Sequence, residues 1–174
     1  ICEPLWRGQR YAHDKIRLGY LSSDFFGHAT AFLSAGMFES HDKDRFETYA
    51  FSYSRNDGSA VRKRIEACVN RFIDVEEKSD SEIARTVKEM EIDIAVDLKG
   101  ITQEARSGIL AYRPAPVQVA YLGYPGTTAM SWIDYAIADH IVLPPELAAH
   151  FSERSEEHTS ELQSHLNLVC RLLL

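Results

Sequence analysis

The chain has 174 residues, enough for one domain with a buried core, and its 45% hydrophobic and 26% charged residues place it among ordinary globular proteins. A net charge of −7 argues against binding nucleic acid through a general basic field, and no apolar run reaches the length of a membrane-spanning helix. Cys2, Cys68 and Cys170 stand far apart with no CxxC pair, so neither a disulfide framework nor a zinc site is expected. Reduced thiols fit a cytoplasmic protein. The chain opens on Ile1 rather than a methionine, and the expectation is that the true N-terminus lies upstream.

Residues 1–14 show no period and read as a lead-in segment. From there the pattern alternates. Residues 16–23 (IRLGYLSS) form a short apolar run ending in small polar residues, a strand that stops at a loop. Residues 30–39 read as a helix, with Thr30 as its cap. Residues 46–54 (FETYAFSYS) are β-branched and aromatic, a second strand. The turn Asn56-Asp57-Gly58-Ser59 caps a helix running to about Cys68, and residues 71–75 (RFIDV) form a third strand. Ser79, Asp80 and Ser81 open the next helix, whose apolar stripe is Ile83, Val87 and Met90. Residues 92–98 (IDIAVDL) predict a fourth strand. A helix over 103–110 stops before Arg113-Pro114, because the residue before proline disfavours α geometry. Residues 117–123 give a fifth strand, and a sixth lies within 132–139. Strands alternating with short helices predict βαβ units, and hence an α/β fold with a Rossmann-like parallel sheet and helices on both faces. Such sheets bind ligands beyond the carboxyl ends of their strands.

Three strand exits carry candidate chemistry. The first, SSDFFGHAT (residues 22–30), gathers a carboxylate, a glycine, an imidazole and a hydroxyl ahead of a helix N-terminus. Asp24 and His28 are placed to point over the sheet edge, and the amides near Ala29 and Thr30 to face an anion. On residue types alone, a structural histidine and a plain helix cap explain the same loop. It lacks the glycines and lysine of a Walker A or GxGxxG loop. The second, RPAPVQVAYLGYPGTT (residues 113–128), stiffens the approach to a buried strand with prolines and leaves it through glycines, which let backbone approach a ligand. A plain tight turn explains that loop equally. In the third, DLKGITQEARSGIL (residues 97–110), Asp97 and Lys99 are expected to pair with each other. No His or Cys pair has metal-ligand spacing, so no metal is expected, and there is no GxSxG elbow.

Taken together, these segments resemble the catalytic region of the UDP-GlcNAc:protein O-GlcNAc transferases, including bacterial members that carry TPR repeats. The family pattern is a strand ending in SSDF, a histidine four positions after the Asp and a Thr two further on, matched by Asp24, His28 and Thr30. DLxGxT, RPAPxQ, LGYPGT, IDY and a following Asp are matched by residues 97–102, 113–118, 122–127, 133–135 and Asp139. Order and spacing agree over 15–153. Ala29 stands where the family often has Pro, and Ile101 where it often has Tyr.

The resemblance implies that residues 15–153 are the N-terminal half of a GT-B pair of Rossmann-like halves facing a cleft. The C-terminal half, which supplies most contacts to uridine and diphosphate, and an upstream TPR array that recruits protein acceptors are then absent partners. The implied reaction moves N-acetylglucosamine from UDP-GlcNAc to a Ser or Thr hydroxyl with inversion, using neither metal nor cofactor. His28 would contact the sugar and acceptor, and Asp24 would relay or accept the proton, directly or through water. Thr30, Leu122, Gly123 and Pro125 would shape the sugar pocket. Another UDP-sugar GT-B enzyme and a non-catalytic nucleotide- or sugar-binding module remain alternatives. The fragment alone is expected to be inactive.

The last segment, 154–174, resembles something else. Residues 154–164 (RSEEHTSELQS) match the translation of a common sequencing adapter residue for residue. Residues 165–167 fit its variable index, and 168–174 (LVCRLLL) its constant end. The expectation is that 154–174 is an artefact outside the fold, and that His158, His165 and Cys170 carry no function. The alternative is an amphipathic helix with Leu162, Leu166, Leu168 and Val169 on one face.

Overall fold

The alternating pattern resolves into parallel strands and their crossovers. The computed structural model describes residues 3–139 and 141–154. The strands are β1 (Ile16–Ser22), β2 (Phe46–Ser52), β3 (Arg71–Asp74), β4 (Ile94–Asp97), β5 (Val117–Tyr121) and β6 (Tyr135–Ile137). They form a six-stranded sheet in the order β3-β2-β1-β4-β5-β6, with every neighbouring pair parallel. The order reverses between β1 and β4. This is the doubly wound Rossmann arrangement, whose ligand crevice opens at that reversal, beyond the strands' carboxyl ends.

Side chains alternate across the sheet and so build two cores. Leu18 and Tyr20 of β1 and Val96 of β4 pack with Phe38 of α1 (Ala29–Ser40) and Ile65 of α2 (Ala60–Cys68). Leu21, Phe51 and Ala95 point the other way, against Ile83 and Val87 of α3 (Asp80–Glu89) and Ile109 of α4 (Gly108–Ala111). Helices therefore cover both faces, as the sequence predicts. Central strands buried on both sides read as continuous apolar runs rather than alternating ones. Ser59 caps α2 through the Arg62 amide, and Ser79 with Glu82 forms a full capping box on α3.

Several expectations need correction. Helix α1 begins at Ala29, so His28 is its cap, accepting from the Thr30 amide, and Thr30 lies inside the first turn. The fourth strand is shorter than 92–98. The expected helix over 103–110 is largely turn, and α4 keeps only four residues. Glu104 takes a left-handed φ of 60°, and Arg106 is tied to Asp80 (2.8 Å) and the Lys78 carbonyl (2.7 Å) at the start of α3. These anchors set the path of 102–107 against the local helix pattern. The stop before Pro114 stands, with Arg113 at φ 48°.

After β6 the chain makes a 3₁₀ turn, Pro145–His150, and then returns to the sheet. Glu153 accepts hydrogen bonds from Thr127 and Thr128, and the Arg154 amide donates to the Asp134 carbonyl beside β6. Arg154 makes its bridge to Tyr135 through backbone alone, so its side-chain identity is immaterial there. The rest of the segment read as an artefact, 155–174, lies outside the described residues. No helix among the described residues is long and apolar enough to cross a membrane.

Candidate functional site

Because the sheet is parallel, the exits of β1, β4 and β5 share one edge, at and beside the reversal of strand order. Two clusters form there. The β1 exit turns tightly, with the Phe26 amide bonded to the Asp24 carbonyl (2.8 Å) and the His28 amide to the Phe26 carbonyl (2.6 Å). Buried Arg62 reaches the Phe25 carbonyl (3.3 Å) and Ser52 Oγ (3.4 Å), and Asp57 Oδ2 accepts from the Gly27 amide (2.8 Å). The loop is thus held from α2 and from the turn before it.

Asp24 and Lys99 are both buried, and Lys99 Nζ lies 2.8 Å from each Asp24 carboxylate oxygen. The expected Asp97–Lys99 ion pair is therefore corrected. The carboxylate of Asp97 instead caps the turn behind it, accepting from the Lys99 amide (2.9 Å) and the Gly100 amide (3.1 Å). Burial pushes the Asp97 carboxyl up to about 6, opposed by those two amides and by the Lys99 charge. Tyr53, at the β2 exit, has its phenol raised by burial first and then by the charges of Asp97 and Asp24. His28 is partly exposed, with Nδ1 at 3.2 Å from the Thr30 amide and 3.5 Å from Asp24 Oδ2.

The second cluster is the β5 exit. Leu122 and Gly123 take consecutive left-handed conformations, φ 59° and 66°. Gly123 lies directly on the β4 exit. A Cβ there would run into the Leu98 carbonyl oxygen and stand 3.0 Å from Lys99 Cα. Gly100, at φ 60°, meets Tyr124 in the same way, with 2.7 Å from its imagined Cβ to that of Tyr124. Leu122, Gly123 and Pro125 line a cleft of 320 Å³ between the exits of β5 and β6, with Tyr124, Ile137 and Phe151. Asp24, His28 and Thr30 do not line it. The predicted residues fall into two groups on one edge, joined where Lys99 touches both.

Sequence reasoning missed Lys99 as the partner of Asp24, because pairing over 75 positions leaves no local signal. It also missed Glu153, whose carboxylate holds Thr127 and Thr128 and so ties down the end of the β5 exit loop. Asp57 had a signal, an Asx turn, but its reach to Gly27 depends on the fold. Among the described residues no group of three or more His, Cys, Asp or Glu is placed to hold a metal ion.

The family model described as glycosyl transferase family 41 matches residues 6–167. The chain belongs to glycosyl transferase family 41. It is 38% identical over 140 residues to the Arabidopsis thaliana protein named "Probable UDP-N-acetylglucosamine--peptide N-acetylglucosaminyltransferase SEC", covering 80% of this chain and 14% of that one. It is 33% identical to the UDP-N-acetylglucosamine–peptide N-acetylglucosaminyltransferase of Caenorhabditis elegans, over 97% of this chain and 15% of that protein. Among solved structures it is similar to a mutant O-GlcNAc transferase of Thermobaculum terrenum, with a TM-score of 0.76 and 34% identity over 82% of this chain and 27% of the other. The chain thus spans about a seventh of the length of the curated relatives. The family and its Rossmann-like fold agree with the resemblance read from the motifs.

Proposed function

We propose that the protein carrying this chain transfers N-acetylglucosamine from UDP-GlcNAc to Ser or Thr hydroxyls of acceptor proteins, with inversion, and that residues 15–153 are the N-terminal half of its GT-B catalytic pair. The observation that carries this reading is the meeting of the three family motifs at one sheet edge, in a family 41 chain similar to peptide N-acetylglucosaminyltransferases. A second observation supports a facing half. Phe32 and Leu33 (63% and 71% exposed), Ile101, Tyr124, Ile141 and Val142 all lie on segments leaving the carboxyl ends of β1, β4, β5 and β6. Apolar side chains exposed on the segments that leave this edge fit a surface that another domain covers.

In this reading the acceptor oxygen attacks the anomeric carbon from the side opposite the leaving diphosphate. The site must take up the hydroxyl proton and stabilise charge on the diphosphate. His28 faces the sugar and acceptor. Asp24, with both oxygens engaged by Lys99, takes the indirect part, shaping the field and ordering water rather than binding the acceptor proton itself. Thr30 holds His28 in place, while Leu122, Gly123 and Pro125 form the wall against the sugar. The facing half supplies the cations for the diphosphate, a TPR array recruits acceptors, the reaction uses no metal or cofactor, and the whole operates in the cytoplasm. The segment 154–174 takes no part.

The test is a chimera in which residues 15–153 replace the matching segment of the Thermobaculum terrenum enzyme. Transfer of radiolabelled N-acetylglucosamine to a protein acceptor is expected, and His28→Ala in the chimera is expected to lower it about a hundredfold or more. A folded chimera that binds UDP-GlcNAc and transfers nothing contradicts the reading and favours a binding module.

A further inference from the structure

His28 Nδ1 stands between two neighbours with opposite demands. The Thr30 amide, 3.2 Å away, needs a lone pair on Nδ1, whereas Asp24 Oδ2, 3.5 Å away, would use a proton there. A neutral imidazole can satisfy only one of them, and the choice decides what the other ring nitrogen offers. If Nδ1–H turned to Asp24, Nε2 would be a base oriented by a carboxylate. If Nδ1 accepts from Thr30, Nε2 carries the proton and is a donor.

The surroundings decide between them. Asp24 has an ammonium at 2.8 Å from both oxygens, and Ser23 Oγ donates to Oδ1 at 3.2 Å. A carboxylate so supplied gains little from a third donor, and 3.5 Å is longer than a charge-assisted bond. The Thr30 amide is one of the free donors of the first turn of α1, in a buried residue, and His28 Nδ1 is the acceptor that caps it. Losing that acceptor would strand the amide.

We propose that Lys99 is a positioning residue that sets the tautomer of His28: by occupying Asp24 it leaves Nδ1 to the Thr30 amide, so that His28 presents Nε2–H outward as a hydrogen-bond donor. Removing the ammonium leaves an anion beside Nδ1 and draws the proton onto it. The consequence for transfer rests on the function proposed above. There His28 stabilises a ligand oxygen by donation, and the proton of the attacking hydroxyl passes to a water ordered beside Asp24 and on to solvent. The tautomer itself does not depend on that reading.

The test is a long-range proton–nitrogen correlation spectrum of the ¹⁵N-labelled 174-residue chain at about pH 8, where an ordinary imidazole is neutral. Wild type is expected to show a pyrrole-type Nε2 and a pyridine-type Nδ1 at His28, and Asp24→Asn the same. Lys99→Met is expected to reverse the pattern. Lys99→Leu, which likewise carries no donor, provides the same comparison if the methionine variant does not fold. Hydrogen exchange at the Thr30 amide should speed up about fivefold in His28→Ala and stay near wild type in His28→Asn, which keeps a capping acceptor. A protonated Nδ1 in wild type, or an unchanged tautomer in a folded Lys99 variant, overturns the proposal. An inactive chimera with the expected tautomer instead indicts the transferase reading.

Discussion

The exits of β1 and β4 and the exit of β5 share an edge and differ in kind. The first pair is polar and closed: Asp24, Lys99 and Asp97 are buried, and the turn amides of residues 99 and 100 are satisfied by Asp97. The β5 exit is shaped by backbone. Two left-handed residues and a glycine packed on the Leu98 carbonyl open an apolar cleft toward β6. One region fixes charge and the other fixes shape. Charges are held there by mutual neutralisation, so the polar exit keeps no strong cation free for an anionic ligand. Within residues 22–28, 98–102 and 122–128, Lys99 is the sole lysine or arginine, and its ammonium is engaged by Asp24.

This division can be broken from the polar side first. Lys99→Met leaves Asp24 buried without its partner and is expected to lower unfolding stability in urea by roughly 3–5 kcal/mol. The double variant Asp24→Asn/Lys99→Met should recover most of that loss. If the single variant costs under about 1 kcal/mol, the pair is not the organising element of this exit. From the other side, Gly123→Ala adds a methyl against Leu98 and Lys99 at a left-handed φ, and is expected to cost roughly 3 kcal/mol. A neutral outcome would mean that the β5 exit moves freely from the β4 exit.

The pH dependence separates the polar exit from a second buried group at the far end of α1. Asp97 is raised to about 6, so its protonated form is favoured by folding. Its contribution is complete below about pH 4 and is lost as pH rises through 6. His41, whose Nε2 pairs with the Tyr20 hydroxyl at 2.8 Å, is lowered by burial to about 4. Its contribution is present above about pH 6.5 and is lost as pH falls through 4. Each is on the order of 3 kcal/mol, and in wild type the two slopes oppose each other. Chemical denaturation between about pH 4 and 7 should therefore show stability rising with pH in Asp97→Asn and falling with pH in His41→Gln. Parallel slopes in the two variants would contradict these assignments. The smallest expected effect is deletion of 155–174, which should change stability by less than about 0.5 kcal/mol if the segment is foreign to the fold. A loss above about 2 kcal/mol would show that it packs.

How much of this was legible in the chain follows from the range of the forces involved. Strand runs, the Ser59 and Ser79 caps and the Ile83–Val87 stripe depend on neighbours a few positions away, and were readable. The helix expected over 103–110 was not, because Arg106 is captured by Asp80 and Lys78 across the fold. The capping role of His28 was hidden because Thr30 is the stronger cap by residue type. At the site, motif order pointed to three loops that the parallel sheet brings to one edge. The link between the two clusters rests on contacts of Lys99 with Asp24 and with Gly123, which only the sheet order creates.

The proposed function makes this edge one wall of a donor site whose cationic wall lies on a facing half. Isothermal titration of UDP-GlcNAc into the 174-residue chain tests it most directly. On that reading no saturable heat is expected, or a Kd weaker than about 1 mM, because a facing half would supply the several charge-assisted hydrogen bonds to the diphosphate. Saturable binding with a Kd of about 10 μM or tighter would contradict the division and mark the chain as a self-sufficient binding module.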